Sequence, residues 1–124
     1  MERLGYKVFW WLPTGAYMGL IFYLSSKTGD QISIPTPDYV AHTAEYFGLS
    51  VLLTLSLRKT TKLSWYIIFI IAVLTASVYG ISDEWHQSFV TGRYSSASDW
   101  IADTVGALMG QLGVMLTKYV FGKR

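Results

Sequence analysis

Apolar residues in this chain fall into four long runs separated by short polar breaks. The first covers residues 8–24, with Pro13 inside it. The second opens in the Thr36-Pro37-Asp38 triplet and reaches Leu57. The third covers residues 64–81 and continues towards Trp85, and the fourth covers residues 98–121. A helix lying on a soluble core shows a polar residue on its outer face every turn, but the stretch WYIIFIIAVL (residues 65–74) has none. Each run is close to the ~20 residues that cross a bilayer as a helix. Pro13 fits this reading, because neighbouring membrane helices can satisfy the carbonyl that proline frees. Thr36 suits an N-cap, Pro37 a first helical position and Asp38 the positive end of a helix; Ser98 suits another N-cap. The pattern predicts an all-α membrane protein with four transmembrane helices in a compact bundle. No repeat, low-complexity segment or linker interrupts it, so residues 1–124 are read as a single domain.

Composition agrees. The chain is 52% hydrophobic and only 15% charged, too apolar for a typical soluble domain of 124 residues. The basic start followed by an apolar run also resembles a signal peptide. Ser25-Ser26-Lys27 follows it, however, with no clear A-x-A site, and the segment is read as a retained anchor. Cysteine is absent, which excludes disulfides and thiolate metal sites. Trp10, Trp11, Tyr23, Tyr39, Tyr66, Trp85, Tyr94, Trp100 and Tyr119 lie mostly near the ends of the runs, as an interfacial belt does. Basic patches interleaved with aromatics are missing, so nucleic acid is not an expected partner.

Charge sets the orientation. With four crossings, one side receives Arg3 and Lys7, then Arg58, Lys59 and Lys62, then Lys118, Lys123 and Arg124: eight of the ten basic residues. By the positive-inside rule that side is the cytoplasm, with both termini inside. The other side receives Asp30, Asp38, Glu45, Asp83, Glu84, Asp99 and Asp103, which are seven of the eight acidic residues. Both histidines, His42 and His86, fall there too, with only Lys27 and Arg93 as cations.

Three stretches carry this chemistry. The second helix offers Asp38, His42, Glu45 and Tyr46, whose spacing puts Asp38, His42 and either Glu45 or Tyr46 on one face. The end of the third run brings Asp83, Glu84, His86, Gln87 and then Arg93. The fourth helix offers Asp99 and Asp103, with Gly106 and Gly110 continuing the same face. A carboxylate at membrane depth costs on the order of 2.5–3.5 kcal/mol, so such groups face a protein interior or a wet cavity. One reading is an ion-pair network that fixes how the helices meet. The other is an outward-opening polar site whose excess negative charge favours a cation, a shared proton or a cationic substrate group. Glu84, His86 and His42 are the candidates for acid–base work. Arg93, Gln87, Asp38, Glu45, Asp83, Asp99, Asp103 and Tyr46 are the candidates for binding. A divalent metal is an option, since His42-x-x-Glu45 and Asp83-x-x-His86 have the i, i+3 spacing of paired helical ligands. No serine-hydrolase elbow, phosphate-binding glycine loop or HExxH motif is present. Gly106 and Gly110 permit close helix approach, within the chain or between copies in an oligomer.

At these residues the chain resembles the VanZ-like family of small bacterial membrane proteins. The shared pattern reads Asp38, His42 and Tyr46; then Ser82-Asp83-Glu84-Trp85-His86-Gln87 leading to Gly92-Arg93; then Asp99, Asp103, Gly106 and Gly110. The match extends over residues 12–113. Two positions depart from it: Tyr39 stands where the family often has Lys, and Asp103 where it usually has Asn. The second departure adds a carboxylate to the site. The resemblance implies a multi-pass protein of the bacterial cytoplasmic membrane and a role in the cell envelope. The founding member's link to teicoplanin further implies glycopeptide resistance. It supplies no reaction.

The resulting expectation is a protein whose outward acidic–histidine site binds or acts on an envelope component. A lipid head group, a cell-wall lipid intermediate and a lipoglycopeptide all fit a site half in the bilayer. A non-catalytic binding or scaffold protein is the alternative. A small-solute or ion transporter is a third, disfavoured because the inner half carries no matching polar groups and a pathway would need an oligomer.

Overall fold

Four helices follow the four apolar runs. The computed structural model describes residues 2–26, 38–90 and 97–122. They form α1 (Glu2–Ser25), α2 (Asp38–Thr60), α3 (Trp65–Gln87) and α4 (Ala97–Phe121), with no strand among the described residues. The ends differ from the apolar limits for local reasons. α1 starts at Glu2, so the polar lead-in is helical as well. α2 continues past Leu57, with Arg58 and Lys59 at its negative end. Ser64 caps α3, its Oγ accepting from Ile67 N at 3.3 Å. α3 then runs beyond Ile81 to Gln87, which puts Asp83, Glu84 and His86 on a helix rather than in a loop. α4 begins at Ala97, so Ser98 sits inside the first turn and is not the cap. The Thr36-Pro37 start of the second run lies outside the described residues.

Interhelical hydrogen bonds define an up-down-up-down bundle. Tyr17 donates to the Glu45 carbonyl at 2.7 Å, while Thr14 meets Ser56 at 2.6 Å, so α1 and α2 are antiparallel. Trp100 donates to the Ser77 carbonyl at 3.1 Å and Ser77 meets Thr104 at 3.0 Å, joining α3 to α4. Tyr79 donates to the Met18 carbonyl at 2.6 Å, tying α3 to α1. α2 touches all three other helices, whereas α1 and α4 do not meet among the described residues.

α2 and α4 form the closest pair, and glycine is the reason. A Cβ on Gly106 would overlap the Thr43 carbonyl oxygen, and one on Gly110 would come 2.7 Å from Phe47 O. Both glycines are therefore buried against α2 of the same chain. The close approach lets side chains bond across it: Ser50 donates to the Ala107 carbonyl at 2.8 Å, and Gln111 Nε2 donates to Ser50 Oγ at 2.6 Å and Thr54 Oγ1 at 2.7 Å. Pro13 sits in a similar setting. Ser56 of α2 donates to the Trp10 carbonyl at 2.8 Å, beside the carbonyl that proline leaves without its helical donor.

The interior combines an apolar cluster of Ile21, Tyr46, Leu49, Leu53 and three alanines with an unusual number of buried polar side chains, and much of the outside is apolar. Leu74, Val78, Ile81 and Trp85 of α3 and Leu108, Leu112 and Leu116 of α4 are exposed. This inverts the usual soluble arrangement and gives apolar surface well beyond an ordinary patch. By length and composition two helices are apolar enough to cross a membrane, 40–60 of α2 and the whole of α3.

One end of the bundle is basic. Arg58 and Lys118 lie 4.2 and 4.7 Å from the Trp65 ring, and Lys59 lies 4.9 Å from that of Trp10. Beside them is a groove of about 640 Å³ lined by Arg3, Lys7, Lys59 and Lys62.

Candidate functional site

The opposite end gathers the acidic groups, because α2 and α4 begin there and α3 ends there. His42 comes from the second turn of α2, Asp83 and Glu84 from the last turns of α3, and Asp103 from the second turn of α4. All four are buried: His42 is 5% exposed, Asp83 5%, Glu84 7% and Asp103 fully enclosed. One donor atom from each lies within 4.8 Å of the others. At the centre, His42 Nδ1 is 2.7 Å from Asp103 Oδ1 and 3.9 Å from Glu84 Oε1.

Two glycines make this convergence possible. A Cβ on Gly80 would come 2.9 Å from Asp103 Oδ2 and 3.2 Å from Asp103 Cβ, so glycine there lets the Asp103 side chain lie against α3 without being displaced. Gly106, one turn after Asp103, lets the α4 backbone approach α2 closely enough for Asp103 to reach His42. The site is therefore built by helix packing and sits roughly 6–9 Å inside the ends of α2 and α4 at 1.5 Å per residue.

Two buried polar atoms near it stand out. Asp103 Oδ2 and the Tyr46 hydroxyl have no hydrogen-bond partner among the described residues. Tyr46 is fully enclosed one turn below His42. A buried polar atom in this condition costs about 1–3 kcal/mol, and native proteins carry few.

The other candidates divide. Gln87 is buried one turn beyond Asp83 and Glu84. His86 turns towards α1, where its ring stacks on Phe22 at 4.1 Å and Nδ1 lies 3.4 Å from Ser25 Oγ. Glu45 is half-buried on the flank of α2 that meets Tyr17 of α1. Neither Glu45 nor His86 belongs to the four-residue group, so the i, i+3 pairs of the sequence do not close around it. Asp99 is half-buried in the first turn of α4. Arg93 and the side chain of Asp38 lie outside the described residues.

Sequence reasoning did not find Gly80 or the Gln111–Ser50–Thr54 group. Gln111 carried a usable signal, a lone amide in an apolar helix at four-residue steps from Asp103 and Ala107. Gly80 carried none that separates it from other glycines.

Chemically, one imidazole and three carboxylates can share protons, hold a cation or orient a polar head group. The hydrogen-bonded His42–Asp103 pair also has the geometry of a base held by a carboxylate.

A family model described as VanZ/LLP1 matches residues 7–118. No curated protein and no solved structure matches the chain. The matched stretch contains all four members of the buried cluster and the Gly80, Gly106 and Gly110 contacts that assemble it. Together with the two helices able to cross a bilayer, it points to a membrane protein. On this match over most of its length, the chain belongs to the VanZ/LLP1 family.

Proposed function

We propose that all four helices cross the bacterial cytoplasmic membrane with both termini inside, and that the acidic end of the bundle binds or acts on an envelope component at the outer leaflet. The observation that carries this reading is the convergence of buried His42, Asp83, Glu84 and Asp103 at the end opposite the basic groove. The basic end supports the orientation through the positive-inside rule. Carboxylates are costly to hold at membrane depth, and four ionisable groups exceed what joining three helices requires. The ligand is a lipid head group, a lipid-linked cell-wall intermediate or a lipoglycopeptide, with Arg93 suited to an anionic group such as phosphate. His42 and Glu84 are its acid–base candidates.

Expression in a susceptible Gram-positive host, with teicoplanin and vancomycin titrated in parallel, tests this. The parent is expected to raise teicoplanin tolerance selectively, and Glu84→Gln to abolish the effect if protons are moved. Tolerance fully retained in Glu84→Gln and lost in Glu84→Ala favours the scaffold reading. Variants at His42, Glu84 and Asp103 that all match a phenotype-positive parent sink the site reading itself.

A further inference from the structure

We propose that His42, Asp83, Glu84 and Asp103 form a binding site for a single divalent first-row metal ion. The inference rests on reading this end as the functional site, and it names the cofactor that the site holds.

Geometry comes first. Ligand atoms bound to one such ion at about 2.0–2.2 Å stand roughly 2.8–4.4 Å apart across the coordination shell. The four donor atoms here lie within 4.8 Å of one another, with His42 Nδ1 2.7 Å from Asp103 Oδ1 and 3.9 Å from Glu84 Oε1, so they already stand near the spacing of one coordination shell. Three helices contribute, which fixes the donors through packing.

The second observation is independent of the clustering. Asp103 is fully enclosed, and its Oδ2 has no hydrogen-bond donor among the described residues. The fully enclosed Tyr46 hydroxyl, one turn below His42, is in the same condition. Gly80 leaves the space that Asp103 occupies, so the packing keeps this carboxylate where it is. A cation between the carboxylates gives Asp103 a partner. A water or carboxylate oxygen in its outer shell gives the Tyr46 hydroxyl an acceptor.

The donor set narrows the ion. One imidazole nitrogen with three carboxylates and no sulfur suits Mn²⁺, Fe²⁺ or Zn²⁺ better than Cu⁺, and the nitrogen disfavours Mg²⁺ and Ca²⁺. The i, i+3 pairs visible in the sequence do not form the site. His42 and Asp83 stay in it, while Glu45 and His86 give way to Glu84 and Asp103.

The full chain, purified in detergent without chelator, is stripped with EDTA, exchanged and titrated with Mn²⁺ (followed by electron paramagnetic resonance) and Zn²⁺ (followed by calorimetry). One ion per chain is expected, with affinity at least about tenfold weaker in Asp103→Asn, the loss typical of a disturbed metal shell. Ser82→Ala, on the exposed side of α3, is expected to match the parent. Circular dichroism checks folding, and Glu84→Gln replaces Asp103→Asn if that variant does not fold. Absence of saturable binding of either ion below about 1 mM, or parental affinity in both Asp103→Asn and Glu84→Gln, overturns the metal site. Failure of the two readings is distinguishable. No metal binding with a lost envelope phenotype in the variants removes only the ion. Tight metal binding with an unaffected phenotype removes only the envelope role.

Discussion

Gly106→Ala separates two physical effects of opposite sign. In an exposed helix, replacing glycine by alanine stabilises by roughly 0.5–1 kcal/mol, because the backbone loses less freedom on folding. At Gly106 the added methyl would overlap the Thr43 carbonyl oxygen and sit 2.9 Å from its carbon and 3.0 Å from Thr43 Cα. Carbon atoms pack comfortably at about 3.5–4.0 Å, so α4 must withdraw from α2 by roughly 0.5–1 Å. The obstacle is backbone inside a helix, which cannot swing away like a side chain. Overpacking of this kind costs about 1–3 kcal/mol, enough to outweigh the propensity gain. The displacement also reaches the site, since Asp103 lies one turn away and its Oδ1 holds His42 Nδ1 at 2.7 Å. Adding 0.5–1 Å takes that contact to the edge of a hydrogen bond or beyond it. Gly19→Ala is the internal control, because a Cβ there meets nothing within 4 Å. Both variants are read by thermal unfolding in one detergent, followed by circular dichroism. Gly106→Ala is expected to melt about 5 °C or more below the parent, and Gly19→Ala at or slightly above it. A Gly106→Ala protein as stable as Gly19→Ala would refute the claim that glycine sets the α2–α4 distance.

Three further outcomes follow from the same packing. Gln111→Leu removes the donor to Ser50 and Thr54 and is expected to cost about 1 kcal/mol, the usual scale of an interhelical hydrogen bond in a membrane, while leaving metal titration unchanged. A thermal melt and a titration check the two halves of that statement. His42→Leu strands a buried carboxylate at Asp103 and is expected to destabilise by about 3–5 kcal/mol in EDTA, whereas His42→Leu with Asp103→Leu recovers much of the loss. Simple additivity of the two single changes in a double-mutant cycle would show that the pair is not coupled. The absence of native cysteine makes topology directly readable. A membrane-impermeant maleimide is expected to label Ser88→Cys in intact cells and Lys62→Cys only after lysis, and the reverse pattern would invert the orientation.

The helices were legible because the core and the apolar outer surface both put apolar residues over every turn, and the breaks at Lys27–Pro37, Arg58–Leu63 and Thr91–Ser96 are polar. The end of α3 was harder. Asp83 to Gln87 reads as a water-facing stretch by composition, yet it stays helical because Asp83, Glu84 and Gln87 are buried. The residue types of the site were also legible, but their partition was not. On α2 the interior line runs from His42 to Tyr46, four residues on, and Glu45 stands on the flank where Tyr17 binds its carbonyl. On α3 the line runs through Asp83, Glu84 and Gln87, and His86 falls to the side where Phe22 and Ser25 wait. Steps of three and four differ by only about 100° around a helix, so spacing alone leaves both open. The choice is made by α1, which packs on that flank of both helices and brings aromatic rings to it. The same logic places Asp103 inside: the glycine at position 80 and the one at position 106 belong to two different helices, and their joint effect exists only once α3 and α4 face each other and α2 packs against both. Which carboxylate joins the buried cluster is therefore decided by where small residues let backbones meet, a property of pairs of helices that no single stretch of this sequence contains.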